Sequence, residues 1–332
     1  MHCQEYRKIM EIKKCKICNQ EIGDKSYLVP EMMFGMEEKF IYLECQKCGC
    51  LQIKEPLTDL SKYYPVNYYS FHNIISKFDF LISFLRRQMA KYYIFEKNNI
   101  LGMFLIIFFG IPDFFHWFKK IKLNSQAKIL DVGCGIGHLL VGLKRAGFAN
   151  LTGVDAYIEK DIFYYNKQIK IFKEDVFGLN EKFDFIILNH SFEHMLDPQI
   201  VIKKLFNLLN NGGRLLIRVP VVSSYAWQHY GVNWVQLDAP RHVFIPSFKS
   251  MEILANVGNF DSMDVVFESW DFQFWGSEQY LRNIPLRSFQ SYAENPKKSI
   301  FTKSQIKKFK IQSKELNLKG QGDTASFYFY KK

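Results

Sequence analysis

Four of the seven cysteines in this 332-residue chain fall into two pairs, Cys15-x2-Cys18 and Cys45-x2-Cys48. Two residues between thiolates let one tight turn present both sulfurs to a single metal. Two such turns complete a tetrahedral four-sulfur shell. Structural zinc is the expected occupant, because a shell closed by protein ligands leaves no open position for a substrate. The N-terminal stretch MHCQEYRKIMEIKKCKIC is charged and lacks the apolar core of an export signal. A cytoplasmic, reducing compartment is therefore expected, where disulfides are rare. Reduced, unliganded thiols are the bland alternative. A redox pair fits poorly, because neither cysteine pair sits at the end of a βαβ strand. Cys3 and Cys50 remain as spares. Between the pairs, Tyr27–Val29 and Lys39–Leu43 read as strands of a short hairpin. A region this small buries too little apolar surface to fold alone, so metal binding would supply its folding energy.

A second chemistry-bearing pattern begins at residue 127. Lys128–Val132 reads as a short apolar strand, Gly133-Cys134-Gly135-Ile136-Gly137 as a turn, and His138–Ala146 as a helix closed by Gly147. Leu151–Asp155 reads as a second strand ending in an acid. Dinucleotide sites require G-x-G-x-x-G, so that a helix N-terminus meets a pyrophosphate. Here the spacing is G-x-G-x-G, and His138 stands where the third dinucleotide glycine would fall. Asp131 precedes the turn, and a carboxylate there opposes a pyrophosphate and suits a cationic ligand.

The stretch ILDVGCGIGHLL, together with the alternating strands and helices over residues 120–330, resembles the class I S-adenosylmethionine (SAM)-dependent methyltransferases. The resemblance implies an α/β fold: a Rossmann-like, doubly wound, seven-stranded sheet, preceded by the zinc-ribbon-like region and a helical connecting region. It implies that Asp131, Gly133, Gly135 and Gly137 line the methionine part of SAM and that Asp155 takes the ribose hydroxyls. Asp175 would hold the adenine amino group, and Asn189, at the end of strand Phe183–Asn189, would also border the cofactor. Strand five is read at Gly212–Pro220. His190, His194 and His242 are the candidate bases, since histidine titrates near neutral pH. Trp234 and Arg241 are the candidate acceptor-binding residues. The stretch WVQLDAPRHVFIPS resembles one that recurs in bacterial methyltransferases of surface-polysaccharide gene clusters, many of which carry an N-terminal cysteine-knuckle region. That similarity implies O-methylation of a sugar or lipid-linked glycan. Sugar C-methyltransferases also join a knuckled region to this core, but they usually add a C-terminal domain for which this chain has no room. An RNA methyltransferase is the competing reading. The chain lacks the N/D-P-P-Y/W signature that positions base amino groups, so nucleic acid is not favoured. A binding module without activity is the third reading, and the intact cofactor motif argues against it.

Three regions must position these residues: a zinc-ribbon-like region at 1–58, a helical connecting region at 59–122 and the methyltransferase-like region at 123–332. Ser61–Phe71 is turn-rich and aromatic. Ile74, Phe78, Leu81, Leu85, Gln88, Tyr92 and Phe95 recur at helical spacing. Ile100–Ile111 carries no charge and is closed by Pro112. It is short of the ~20 residues that span a bilayer, so a core or domain-packing helix is expected. Interfacial membrane contact is the alternative, which Trp117 and Phe118 beside Lys119 and Lys120 would suit. Helix Phe248–Val257, strand Met263–Trp270, an aromatic helical insert from Phe272 and strand Ala325–Tyr330 complete the chain, the two strands forming an antiparallel edge. Asn295–Lys310 has lysines and no acid, and reads as a solvated loop or an anionic-surface contact. The formal net charge of +11 makes an anionic partner plausible, including peripheral contact with an anionic membrane at its inner face. A lysine-rich bias from an AT-rich genome would give the same balance. The hydrophobic fraction of 48% excludes a disordered or fibrous chain.

Overall fold

The computed structural model describes residues 14–64, 75 and 78–332. Cys3, Ile74 and residues 65–71 of the aromatic stretch lie outside them. The first strands are β1 (Ser26–Pro30), β2 (Lys39–Glu44) and β3 (Leu51–Ile53). Three helices come next: α1 (Asp79–Tyr93), α2 (Ile100–Phe109) and α3 (Asp113–Ile121). Then come β4 (Lys128–Val132), α4 (His138–Ala146), β5 (Asn150–Val154), β6 (Ile162–Tyr164), β7 (Ile169–Phe172) and β8 (Phe183–Asn189). The chain continues through α5 (Pro198–Leu208), β9 (Leu209–Pro220), α6 (Tyr225–Tyr230), β10 (Phe244–Ile245) and α7 (Phe248–Val257). It ends with β11 (Ser262–Phe267), α8 (Phe272–Tyr280), α9 (Lys303–Leu318) and β12 (Thr324–Tyr330).

The large sheet has the order β11-β12-β9-β8-β4-β5-β7-β6. Its centre is parallel, and β12 is antiparallel to both β9 and β11. Seven of these strands match the expected sheet. The eighth, β6, is a correction: it forms an antiparallel edge hairpin with β7. Tyr165, Asn166 and Lys167 turn the chain there with positive φ, so the hairpin lacks the glycine that usually announces one. Central β8 is buried along nearly its whole length, as a strand covered on both faces must be. The order reverses at β4, so the β4–α4 turn opens the crevice where ligands of doubly wound sheets bind.

The small sheet has the order β1-β2-β3-β10. Its fourth strand comes from the distant segment after β9, with Phe244 opposite Gln52 and Ile245 opposite Leu51. The cysteine region is thus stitched into the segment that carries Arg241 and His242.

Two further expectations need correction. Asn295–Lys310 is not a loop throughout, because α9 begins at Lys303. Thr302 and Gln305 form a reciprocal capping box, and Ile306, Ser313 and Leu316 turn inward. Helix α2 takes the packing role: Gly102 and Leu105 are buried, and Leu105 lies in the same hydrophobic cluster as Phe115 and Phe118. Trp117 and Phe118 do not face an interface. Both are buried, and Phe118 packs against Phe148 and Phe185 with ring centroids 4.9 and 5.3 Å away. Each such fully buried ring contributes about 1.5–3 kcal/mol, which anchors the connecting helices to the sheet.

Candidate functional site

The turn after β4 is forced by its glycines. Gly133, Gly135 and Gly137 all have positive φ, a region that side chains avoid. Crowding adds to this: a Cβ on Gly133 would lie 2.4 Å from Ser191 Cβ, and one on Gly137 would lie 2.4 Å from Ile171 Cδ1. The Gly135 amide donates to Asp155 Oδ2 at 2.8 Å, while Asp155 Oδ1 accepts from the Tyr157 amide. Asp155 is thereby fixed at the lip of the turn. Asp131 is buried, and burial, followed by the nearby charge of Asp155, pushes its carboxyl up to about 7. Two carboxylates beside a backbone cradle free of side chains fit a cationic adenosyl ligand and disfavour a pyrophosphate. Asp175 is exposed and caps a short turn by accepting from the Phe177 amide at 2.7 Å.

The end of β8 delivers the histidines. Asn189 Oδ1 accepts from Arg218 Nη1 at 3.2 Å. His190, with φ of 54°, places Nε2 2.6 Å from the same nitrogen. Arg218 occupies that lone pair, so His190 is a hydrogen-bond acceptor there and not a free base. Burial, followed by the Arg218 charge, lowers its pKa. Sequence reasoning missed Arg218, although an arginine in the apolar strand LLIRVP is the signal. Its guanidinium lies over Trp117 and Trp270, and its Nε donates to Glu268.

His194 Nδ1 lies 2.8 Å from the Arg241 carbonyl. His242 Nδ1 lies 2.9 Å from the Gln236 carbonyl, and burial lowers its pKa to about 4. Their rings stand 4.9 Å apart. Between them Glu193 is fully buried. Burial opposes its ionisation, but the neighbouring imidazoles, His190 first, outweigh it and hold the carboxyl at about 2.

The two expected acceptor-binding residues are corrected. Trp234 is enclosed in the core, and its indole N–H donates to Asp323 Oδ2 at 2.9 Å, so no ring face is left for an acceptor. Arg241 is fully buried and saturated. It donates to both Asp238 oxygens, to Glu31 Oε1 at 3.1 Å and to the Tyr63 carbonyl. Its charge braces the small sheet against the segment after β9. Tyr42, whose hydroxyl donates to the His242 carbonyl at 2.6 Å, does the same.

At the cysteine pairs, the sulfurs of Cys15, Cys18, Cys45 and Cys48 all lie within 4.8 Å of one another. The Cys15–Cys48 and Cys18–Cys45 separations are both 3.5 Å. That suits a tetrahedral ion with metal–sulfur bonds of ~2.3 Å. Cys50 is not one of these four, and its thiol donates to the Leu51 carbonyl.

Residues 110–260 match a family model described as a methyltransferase domain. By this match, residues 110–260 form a methyltransferase domain. The chain is 30% identical over 145 residues to a ubiquinone biosynthesis O-methyltransferase of Actinobacillus pleuropneumoniae, covering 38% of this chain and 62% of the relative. It is 24% identical over 127 residues to the (S)-coclaurine N-methyltransferase of Papaver somniferum, covering 35% and 36%. The chain therefore spans less than two thirds of either relative. A solved structure, Haemonchus contortus phospholethanolamine N-methyltransferase 2 in complex with phosphomonomethylethanolamine and S-adenosylhomocysteine, is 16% identical with a TM-score of 0.43, covering 97% of this chain and 71% of that one.

Proposed function

We propose that this protein transfers a methyl group from SAM to an oxygen of a sugar or lipid-linked glycan. The observation that carries the reading is the pair Asp131 and Asp155 flanking the side-chain-free turn after β4. Bound there, SAM supplies an electrophilic methyl on a sulfonium. The chain's part is to hold that ligand, align an acceptor oxygen in line with the methyl and take up its proton. Asp131, Gly133, Gly135 and Gly137 bind the methionine end, Asp155 the ribose, Asp175 the adenine, and Asn189 closes the floor. His194 and His242 accept the acceptor proton at Nε2, since each Nδ1 is held on a carbonyl. His190 acts through its contact with Arg218.

The four cysteines hold a structural zinc that braces the small sheet, and so the segment bearing His242. The apolar hairpin α1–α2 rests on an anionic membrane surface. Phe80, Phe104, Ile107 and Phe108 are exposed on it, Phe108 to 77%. No helix among the described residues is long and apolar enough to cross a membrane. A lipid-linked acceptor would be met at such a surface.

Methyl-labelled SAM incubated with the protein and host extract, then split into RNA, lipid and nucleotide-sugar fractions, tests the acceptor. Label in the lipid or nucleotide-sugar fraction is expected. Label in RNA alone overturns the glycan reading.

A further inference from the structure

Glu193 is the member of the histidine cluster that methyl transfer leaves unused. Among the described residues, neither of its buried oxygens has a hydrogen-bond partner. The nearest side-chain nitrogens are His190 Nδ1 at 3.4 Å and His242 Nε2 at 3.8 Å. Burying a carboxylate this way is costly unless something cationic compensates. The imidazoles make the need sharper. The Nδ1 atoms of His194 and His242 both lie on backbone carbonyls, at 2.8 and 2.9 Å. A carbonyl only accepts, so in the neutral rings each Nδ1 carries the proton and each Nε2 keeps its lone pair. Lone pairs therefore face a buried carboxylate, and one ligand atom from each of Glu193, His194 and His242 lies within 4.8 Å of the others. Metal-binding histidines are held in the same way, with the second ring nitrogen donating to a carbonyl.

We propose that Glu193, His194 and His242 form a second metal site, for a divalent transition cation, separate from the four cysteines. Two imidazoles and one carboxylate suit zinc, iron, cobalt, nickel or manganese better than magnesium. Three protein ligands leave positions open for an oxygen of the acceptor. His190 is not a ligand, because Arg218 holds its Nε2. The site adjoins the cofactor turn: Ser191, two residues before Glu193, packs on Gly133 and donates to the Val132 carbonyl at 2.6 Å.

Cation binding does not depend on methyl transfer, but its consequence rests on that reading. A coordinated hydroxyl is more acidic. Its proton leaves to water, the O–CH3 bond forms as the S–CH3 bond breaks, and the products are a methyl ether and adenosylhomocysteine. With the cation bound, the Nε2 atoms of His194 and His242 are occupied as ligands, and this release to water replaces the direct proton uptake that the two imidazoles perform without it.

The test is titration of the zinc-loaded full chain with Co(II), followed by visible absorption. We expect uptake of about one equivalent, with weak visible bands and no intense thiolate-to-cobalt band. Glu193→Gln and His194→Gln are each expected to weaken uptake at least ~10-fold. No uptake at millimolar cobalt, uptake with a thiolate band alone, or unchanged affinity in both variants overturns the site. If Glu193→Gln fails to fold, the wild-type titration and His194→Gln, at a half-exposed position, still decide. Calorimetry with adenosylhomocysteine on the same protein reports the methyl-transfer reading separately.

Discussion

Asp131 couples cofactor recognition to stability in a way that can be measured. In the unfolded chain its carboxyl titrates near 3.8, and in the folded, cofactor-free protein near 7, chiefly through burial and secondarily through Asp155. The folded state therefore holds this proton more tightly than the unfolded state. Stability is greatest below pH 4 as far as this group is concerned, and falls as pH rises through 7. Moving a carboxyl from 3.8 to about 7 corresponds to about 4 kcal/mol. Asp131→Asn keeps the shape and removes the titration. Relative to wild type, the variant is expected to gain about 2–3 kcal/mol in urea unfolding free energy between pH 5 and pH 8. Its affinity for adenosylhomocysteine by calorimetry is expected to fall ~10-fold or more, because the buried negative charge that attracts the ligand's ammonium is gone. A stability difference independent of pH, or unchanged affinity, refutes the assignment of Asp131 as a strained carboxylate awaiting a cation.

Gly133→Ala forces a Cβ against Ser191 at positive φ and should cost about 1–3 kcal/mol in unfolding experiments, with loss of adenosylhomocysteine binding. Arg241→Met strips the partner from buried Glu31 and Asp238 and should destabilise the protein by about 3–5 kcal/mol. A cost below about 1 kcal/mol would mean that the brace is dispensable. Cys15→Ser and Cys48→Ser should each lower zinc content by metal analysis, and unchanged zinc in both would remove that site from the account. Ile107→Glu with Phe108→Glu should abolish flotation with anionic phosphatidylserine vesicles while leaving the melting curve nearly unchanged, since both side chains are exposed.

The parts of the fold that were legible in the sequence were those whose local chemistry agrees with their tertiary role. The turn after β4, the apolar run of β8 and the helix His138–Ala146 closed by Gly147 all read directly. Other elements were hidden by composition. Helix α9 looked like a solvated loop because its lysines dominate the eye, yet Ile306, Phe309, Ser313 and Leu316 recur at helical spacing behind a Thr302–Gln305 box. Strand β6 was hidden because its turn lacks glycine. Within the site, residue type misled. Tryptophan and arginine are common at binding surfaces, but Trp234 and Arg241 are used here as core struts. Burial is a property of the assembled chain, and no local pattern reports it. Arg218 shows the reverse case, a charge in an apolar strand that marked its own importance.

The pairing of β3 with β10 denies this protein a clean modular seam. Removing the first 58 residues would not yield a leaner enzyme. It would leave a raw sheet edge where Phe244 and Ile245 now find partners, and a guanidinium inside the protein without Glu31. Exchanging the amino-terminal portion between homologues is likewise not a neutral graft, since each donor must bring a matching edge and a matching acid. Changes on the two sides of this seam are therefore bound to accompany one another.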